Sequence, residues 1–329
     1  MKNPTDIVPR PSNLFWWILG SVSLALSMPY TIFSILWQIK QTKLKETLAG
    51  KVVVITGASS GLGEALAHTF YMAGCKVVLC ARRQEELERV RKDLLECHPR
   101  VPTHPPVVLP LDLSDLNSIP DKIKQVLEIF DHVDILINNG GISVRSNIVS
   151  SSVDIDIKVM LVNYFGSVAM TKHVLPSMIQ RKQGQIVFVS SVQGKFAIPN
   201  RSAYAASKHA MQAFSDSLRA EVHKDNIEVL IVSPGYINTA LSLNALTSTG
   251  RAHGITDAET ASGMSPEKAS EDILKAVLMQ QKDVVIAPLY IRLVAKLRHF
   301  LPEVYFWAMQ KRAKTLARKM ELEAINKAD

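Results

Sequence analysis

A chain of 329 residues, 47% hydrophobic and 21% charged, has the composition of a globular core and the length for one large domain or two modest ones. The net charge of +8 is concentrated near the C-terminus, where eight Lys/Arg between Leu289 and Met320 face Glu303 alone. That excludes a protein-wide nucleic-acid surface and points to a tail that meets something anionic. The three cysteines, Cys75, Cys80 and Cys97, have no metal-ligand spacing and suit a reducing compartment.

In chain order, residues 1–13 form a short tail and residues 14–39 an apolar anchor, since no charge occurs from Pro11 to Ile39. As a helix, Leu14 to Trp37 would run ~36 Å, enough for a hydrocarbon core of about 30 Å. Trp16, Trp17 and Trp37 mark its two ends as interfacial aromatics do, and Pro29 is tolerable in a membrane helix. A cleaved signal peptide is the rival reading, but its apolar region would span only about 7–15 residues. The linker 40–50 carries Lys40, Lys43 and Lys45 against Glu46, and that positive flank favours the cytosol for the domain that follows, without excluding the luminal side. The usable glycosylation sequon begins at Asn200 and would crowd the site proposed below, which favours the same side.

From residue 51 to 288, short β-branched runs alternate with segments of helical period. The runs fall at 51–56, 76–81, 106–113, 133–139, 185–191, 227–234 and 283–288. Near-continuous apolar strands separated by helices predict a parallel sheet covered on both faces. The stretch 241–267 is irregular, and its Gly, Ser and Thr content predicts a mobile loop or a pair of short helices, of the kind that often closes over ligands.

The first strand leads into "TGASSGLG", Thr56–Gly63, which opens a helix. Gly57, Ser59, Ser60, Gly61, Leu62 and Gly63 would let the backbone approach a pyrophosphate at the helix N-terminus. The second strand ends in "CARRQEE". An NAD site wants an acid there; Arg82, and less so Arg83, would instead pair the 2′-phosphate of NADP. An exposed helix start is the plainer explanation for both arginines. Further on, Tyr204 and Lys208 of "YAASK" lie four apart and share one helical face with Met211, Phe214, Leu218 and Val222. An inward lysine needs a partner or a task. Its ammonium would favour the phenolate and lower the Tyr204 pKa, making a general acid for carbonyl reduction.

These motifs in order, with the acid of "LDL", "NNGG", an in-helix Asn, a Ser before "YAASK" and "PGYINT", resemble the short-chain dehydrogenase/reductase superfamily. The resemblance covers about residues 50–288. It implies a Rossmann-type, doubly wound, seven-stranded parallel α/β sheet and a nicotinamide cofactor. It implies Tyr204 as acid/base, Lys208 as its tuner and ribose ligand, Ser191 (rather than Ser190) on the substrate oxygen, and Asn163 holding a relay water. Asn163 could equally serve helix–helix hydrogen bonding. It further implies Asp112 on the adenine, Asn138 in the cofactor motif and Thr239 at the nicotinamide amide. Gly140 stands where the family has alanine. Ser60 stands where many NADP-preferring members have a basic residue, so NADP(H) over NAD(H) rests on Arg82. The loop at 247–266, "NYFG" and "IPNRSAYAASKHA" resemble a membrane-anchored type of the family in the endoplasmic reticulum or peroxisome, associated with reduction of acyl- or alkyl-dihydroxyacetone phosphates. The family commonly forms homodimers or homotetramers.

Residues 289–329 mix aromatics, aliphatics and Lys/Arg, as a basic amphipathic helix pair on anionic lipid would; a solvated terminal helix is the alternative. An anchored catalytic domain suits an amphiphilic ketone or aldehyde: a lipid ketone, a steroid or a retinoid. Arg201, Arg251 and His253 are candidates for a substrate phosphate. The competing class is a membrane-bound scaffold that binds cofactor without turnover, against which the full set Asn163, Ser191, Tyr204 and Lys208 argues.

Overall fold

The computed structural model describes Trp16, Ser23, Met28 and residues 46–325. Most of the apolar segment 14–39 lies outside the described residues, as do the tail 1–13 and residues 40–45 of the linker. Among the described residues no helix is long and apolar enough to cross a membrane.

Seven parallel strands form one sheet: β1 (Val52–Thr56), β2 (Lys76–Ala81), β3 (Val107–Pro110), β4 (Ile135–Asn138), β5 (Gly184–Val189), β6 (Ile227–Pro234) and β7 (Asp283–Ile286), in the order β3-β2-β1-β4-β5-β6-β7. Every residue of β1 is buried, because helices cover both faces and leave the central strand no solvent side. β3 and β4 are shorter than their apolar runs suggest; the chain leaves the sheet at Leu111 and Asp112 to reach the cavity described below.

The helices are α1 (Gly61–Met72), α2 (Gln84–Cys97), α3 (Ile119–Phe130), α4 (Val153–Met160), α5 (Gly166–Arg181), α6 (Ser202–Glu221), α7 (Ala258–Ala261), α8 (Pro266–Leu278), α9 (Leu289–Phe300) and α10 (Pro302–Ile325). α6 buries Met211 and Leu218 in the main core, with Val222 at its end and Phe214 packed half-buried beside them. Each such side chain removed from water contributes about 1.5–3 kcal/mol. Cys80 in β2 and Cys75 just before it are buried, and burial pushes both thiols up to about 12.

Between α4 and α5 the helix widens into a π-turn at Leu161–Phe165 that carries Asn163. The sheet reverses its winding between β1 and β4, so the loops leaving those strands diverge and open a crevice at their C-terminal ends. The Gly-rich turn, Asp112, Ser191, the start of α6 with Tyr204, and Thr239 lie on loops or a helix start at that edge.

Candidate active site

A cavity of about 740 Å³ opens along this edge. Its cofactor end is the Gly-rich turn. Gly57 and Gly61 have φ of +70° and +56°, where a side chain would be strained. A Cβ on Gly63 would come within 2.0 Å of the Gly57 carbonyl oxygen. The turn is therefore a bare backbone cradle at the start of α1, fitted to a pyrophosphate by shape and by its free N–H groups. Ser59, Ser60, Leu62, Arg82, Arg83, Asp112 and Thr239 line the same cavity. Thr239 closes on the turn: a Cβ at Gly61 would meet its methyl at 3.0 Å. Asp112 accepts from the Ser114 amide and hydroxyl, which fixes its carboxylate. Arg82 and Arg83 are both exposed at the rim, and Arg83 Nη2 donates to Ser59 Oγ at 3.3 Å. Arg83 thus reaches back over the Gly-rich turn.

Asn138 does not line the cavity. It is fully buried at the end of β4 and donates to Thr171 Oγ1 at 3.0 Å. Its neighbour Asn139 lines the cavity and ties the turn down, donating from Nδ2 to the Thr56 carbonyl at 2.9 Å. Strand side chains alternate faces, so of two adjacent asparagines only one can point each way. That alternation was the available signal.

At the other end Tyr204, Lys208 and Ser191 converge. α6 carries the first two on one face, four residues apart. Ser191, just past β5, hydrogen-bonds with Tyr204 and accepts from the Gln193 amide at 3.1 Å. Ser190 donates instead to the Lys208 carbonyl at 3.2 Å. Asn163, fully buried, donates to the Ile142 carbonyl and to Ser207 Oγ, both at 2.9 Å, and accepts from the Ile142 amide. Its side chain therefore clamps the β4 loop to α6. A Cβ on Gly141 would meet Asn163 Oδ1 at 3.1 Å and Lys208 Nζ at 3.7 Å, so a side chain there would crowd both.

The electrostatics correct one expectation. Lys208 Nζ donates to the Val189 carbonyl at 2.8 Å and lies 5.8 Å from the Tyr204 ring centre, and burial depresses it to about 8. Burial pushes the Tyr204 phenol up; its hydrogen bond with Ser191 and the charges of Arg201 and Arg145 pull the other way. The net direction is upward, so the phenol holds its proton at neutral pH. The cations acting on it are arginines rather than Lys208.

Those arginines form a group the sequence reading did not assemble. Arg145 donates to Asp257 Oδ2 from Nε at 2.9 Å and also from Nη2, while Nη1 holds Ser143 Oγ. Arg201 Nη2 donates to the same carboxylate oxygen at 2.9 Å. Both guanidiniums line the cavity and are about nine-tenths buried. Two buried cations share one carboxylate, leaving an excess positive charge in the wall beside Tyr204. Asp257 lies 112 residues from Arg145, so no local pattern joins them. Arg201 was among the phosphate candidates, whereas the cavity lining does not include Arg251 or His253.

The pattern that defines the short chain dehydrogenases matches residues 51–249. The chain belongs to that family. It is an oxidoreductase acting on CH–OH groups with a nicotinamide cofactor. It is 63% identical over 316 residues to "Dehydrogenase/reductase SDR family protein 7-like" of Anopheles gambiae, covering 96% of this chain and 99% of that one. "Dehydrogenase/reductase SDR family member 7B" of Bos taurus is 48% identical over 284 residues, 86% of this chain and 87% of its own. A short chain dehydrogenase/reductase of Burkholderia phymatum, solved in complex with NAD, shares the fold with a TM-score of 0.70 at 23% identity, covering 78% of this chain and 95% of that one.

A nicotinamide cofactor held by the Gly57–Gly63 turn, Asp112 and Thr239 would supply or accept the hydride. Tyr204, which keeps its proton at neutral pH, is placed to deliver it to a carbonyl oxygen in reduction and to withdraw it in oxidation. Ser191, on the same wall, is placed to donate to that oxygen and stabilise its developing charge.

Proposed function

We propose that this chain is an NADPH-dependent reductase interconverting a ketone or aldehyde and an alcohol on a lipid-like substrate, among them acyl- or alkyl-dihydroxyacetone phosphates, steroids and retinoids. One observation carries the reading: the Ser191–Tyr204 pair opens into a cavity whose outer wall is apolar (Phe196, Ile198, Ile291, Val294, Met309) but also holds the surplus guanidinium charge of Arg145 and Arg201. A tail fits the apolar wall, and an anionic head fits the arginines. Among the three classes this favours the phosphorylated ketone. NADPH over NADH is supported by Arg82 and Arg83 at the end of β2, with no acid there to accept from a ribose hydroxyl. The apolar segment 14–39 supports an anchor in the endoplasmic reticulum or peroxisomal membrane, with the catalytic domain in the cytosol.

The test is NADPH oxidation by the full chain in lipid against all three substrate classes, with Tyr204→Phe and Arg201→Gln alongside. Tyr204→Phe abolishes turnover. Arg201→Gln raises KM for the phosphorylated ketone about tenfold or more and leaves an uncharged ketone little changed. Turnover of no class, with NADPH still bound, would favour the scaffold reading. Separately, Arg83→Ala raises KM for NADPH about tenfold and spares NADH; equal effects on both would remove the 2′-phosphate role.

A further inference from the structure

The α9–α10 hairpin has one face accounted for. Ile291, Val294 and Met309 pack with Val192 and Phe196, and the Tyr305 hydroxyl donates to the Ala197 carbonyl. Among the described residues the opposite face is exposed. Leu289, Leu293, Lys296 and Phe300 follow one another at helical spacing along α9, and the three apolar ones are 54–71% exposed. On α10 the outward stripe is Val304, Trp307, Lys311, Lys314 and Arg318, spaced by three and four. Val304 and Trp307 are 47% and 56% exposed, and Phe300 and Leu301 at the bend are 71% and 56% exposed. Lys311 Nζ sits 4.0 Å from the centre of the Trp307 ring.

The chemistry is graded along the stripe. Large apolar and aromatic groups gather at the bend, and cations continue up α10, beginning with Lys311 over the Trp307 ring. Exposed groups of this size in one patch mark a contact surface. The charge selects the contact. The stripe holds cations only, and Glu303 is the sole acid between Leu289 and Met320, so a second copy of the same face would be repelled. An anionic bilayer satisfies both halves: Phe300, Leu301 and Trp307 enter the headgroup–acyl boundary, and Lys311, Lys314 and Arg318 meet the phosphates. We infer that the bend between α9 and α10 is a second membrane contact, separate from the apolar segment at the N-terminus, which lays the hairpin on anionic lipid.

The same hairpin supplies Ile291, Val294 and Met309 to the cavity wall, so the docked bend would bring the mouth of the site to the lipid surface.

The test follows the environment of the bend in the full chain and does not depend on turnover. Phe300→Cys and Trp307→Cys, each in a Cys97→Ser background, carry an environment-sensitive fluorophore. Lys124→Cys on α3, where the side chain is 75% exposed, is the control. The proteins are reconstituted into phosphatidylcholine vesicles with and without phosphatidylserine. Emission at 300 and 307 shifts to the blue, and spin-labelled lipid quenches it, with phosphatidylserine present; position 124 does neither. Lys311→Ala with Lys314→Ala weakens the response, and so does high salt. Equal, water-like emission at all three positions overturns the inference. So does a shift that follows protein-to-lipid ratio rather than lipid charge, which would indicate a second copy. A shift that needs no lipid and vanishes when residues 1–45 are removed would assign the patch to the chain's own N-terminal segment and likewise overturn it.

Discussion

Burying the Lys208 ammonium at 3% exposure, with the Val189 carbonyl and the Met211 sulfur as neighbours, costs stability, and its depression to about 8 reflects that cost. Between pH 8 and the ordinary lysine value of 10.5, the unfolded chain holds a proton that the folded chain has released. Stability from this group therefore rises with pH across that window, and the penalty is fully present below 8. Cys75 and Cys80 act oppositely above 9, since their unfolded thiols ionise there while the folded ones stay neutral to about 12. The net gain should lie between pH 8 and 9. Lys208→Met removes the charge but orphans the Val189 carbonyl. It should stabilise the fold at pH 7 by about 1–2 kcal/mol in denaturant unfolding while abolishing turnover. A destabilised variant would mean that Lys208 is structural. The Tyr204–Lys208 pairing was readable because four residues is one helical turn. Its electrostatics were not, because the arginines that act on Tyr204 arrive from the β4 loop and the start of α6.

At the scale of elements, the same distinction separates what local pattern shows from what only the assembled chain shows. The strands follow from their apolar runs, and the Gly-rich turn from its place between β1 and α1. The π-turn around Asn163 has no local signature; nothing in "MLVNYFG" breaks a helical period. The irregular stretch 241–267 was readable as a loop over the cavity, but not what holds it there. Asp257 precedes the one-turn helix α7 and is bound by Arg145 and Arg201, while Glu259 within α7 pairs with Arg312 of α10 at 3.1 Å. The Asp257 carboxyl is pushed up by burial and pulled further down by the hydrogen bond and charge of Arg145 and by Arg201, for a net depression. Its contribution is thus complete above the ordinary carboxylate range and lost as pH falls through the depressed value. Asp257→Asn leaves two half-paired guanidiniums in a buried wall. It should cost about 2–4 kcal/mol and speed proteolysis within 241–267, with cleavage of β-strand sites unchanged. If the loop resists protease as before, the two arginines do not latch it.

Residues 48–325 form a doubly wound sheet with a hairpin laid against one edge of its crevice, and the question at this scale is whether the two open together. The hairpin's link to the sheet domain is a small apolar cluster around Val192, Phe196 and Ile291, the Tyr305–Ala197 hydrogen bond and the Arg312–Glu259 ion pair. The sheet, by contrast, is backed by a core that runs through six strands and the helices α3, α5 and α6. A unit with few buried contacts opens at lower free energy than the global transition. Tyr305→Phe leaves the Ala197 carbonyl without its donor, a loss of about 1–1.5 kcal/mol, or roughly tenfold in the opening equilibrium. Amide exchange in Leu289–Ile325 should therefore quicken about tenfold while β1, β4 and β5 keep their rates. Because the Gly-rich turn, Asp112, Asn139 and Thr239 take nothing from the hairpin, KM for NADPH should hold, and KM for a long-chain ketone should rise as Ile291, Val294 and Met309 leave the wall. Exchange that accelerates equally in strands and hairpin would instead make the two a single cooperative unit, with the substrate wall as stable as the cofactor cradle.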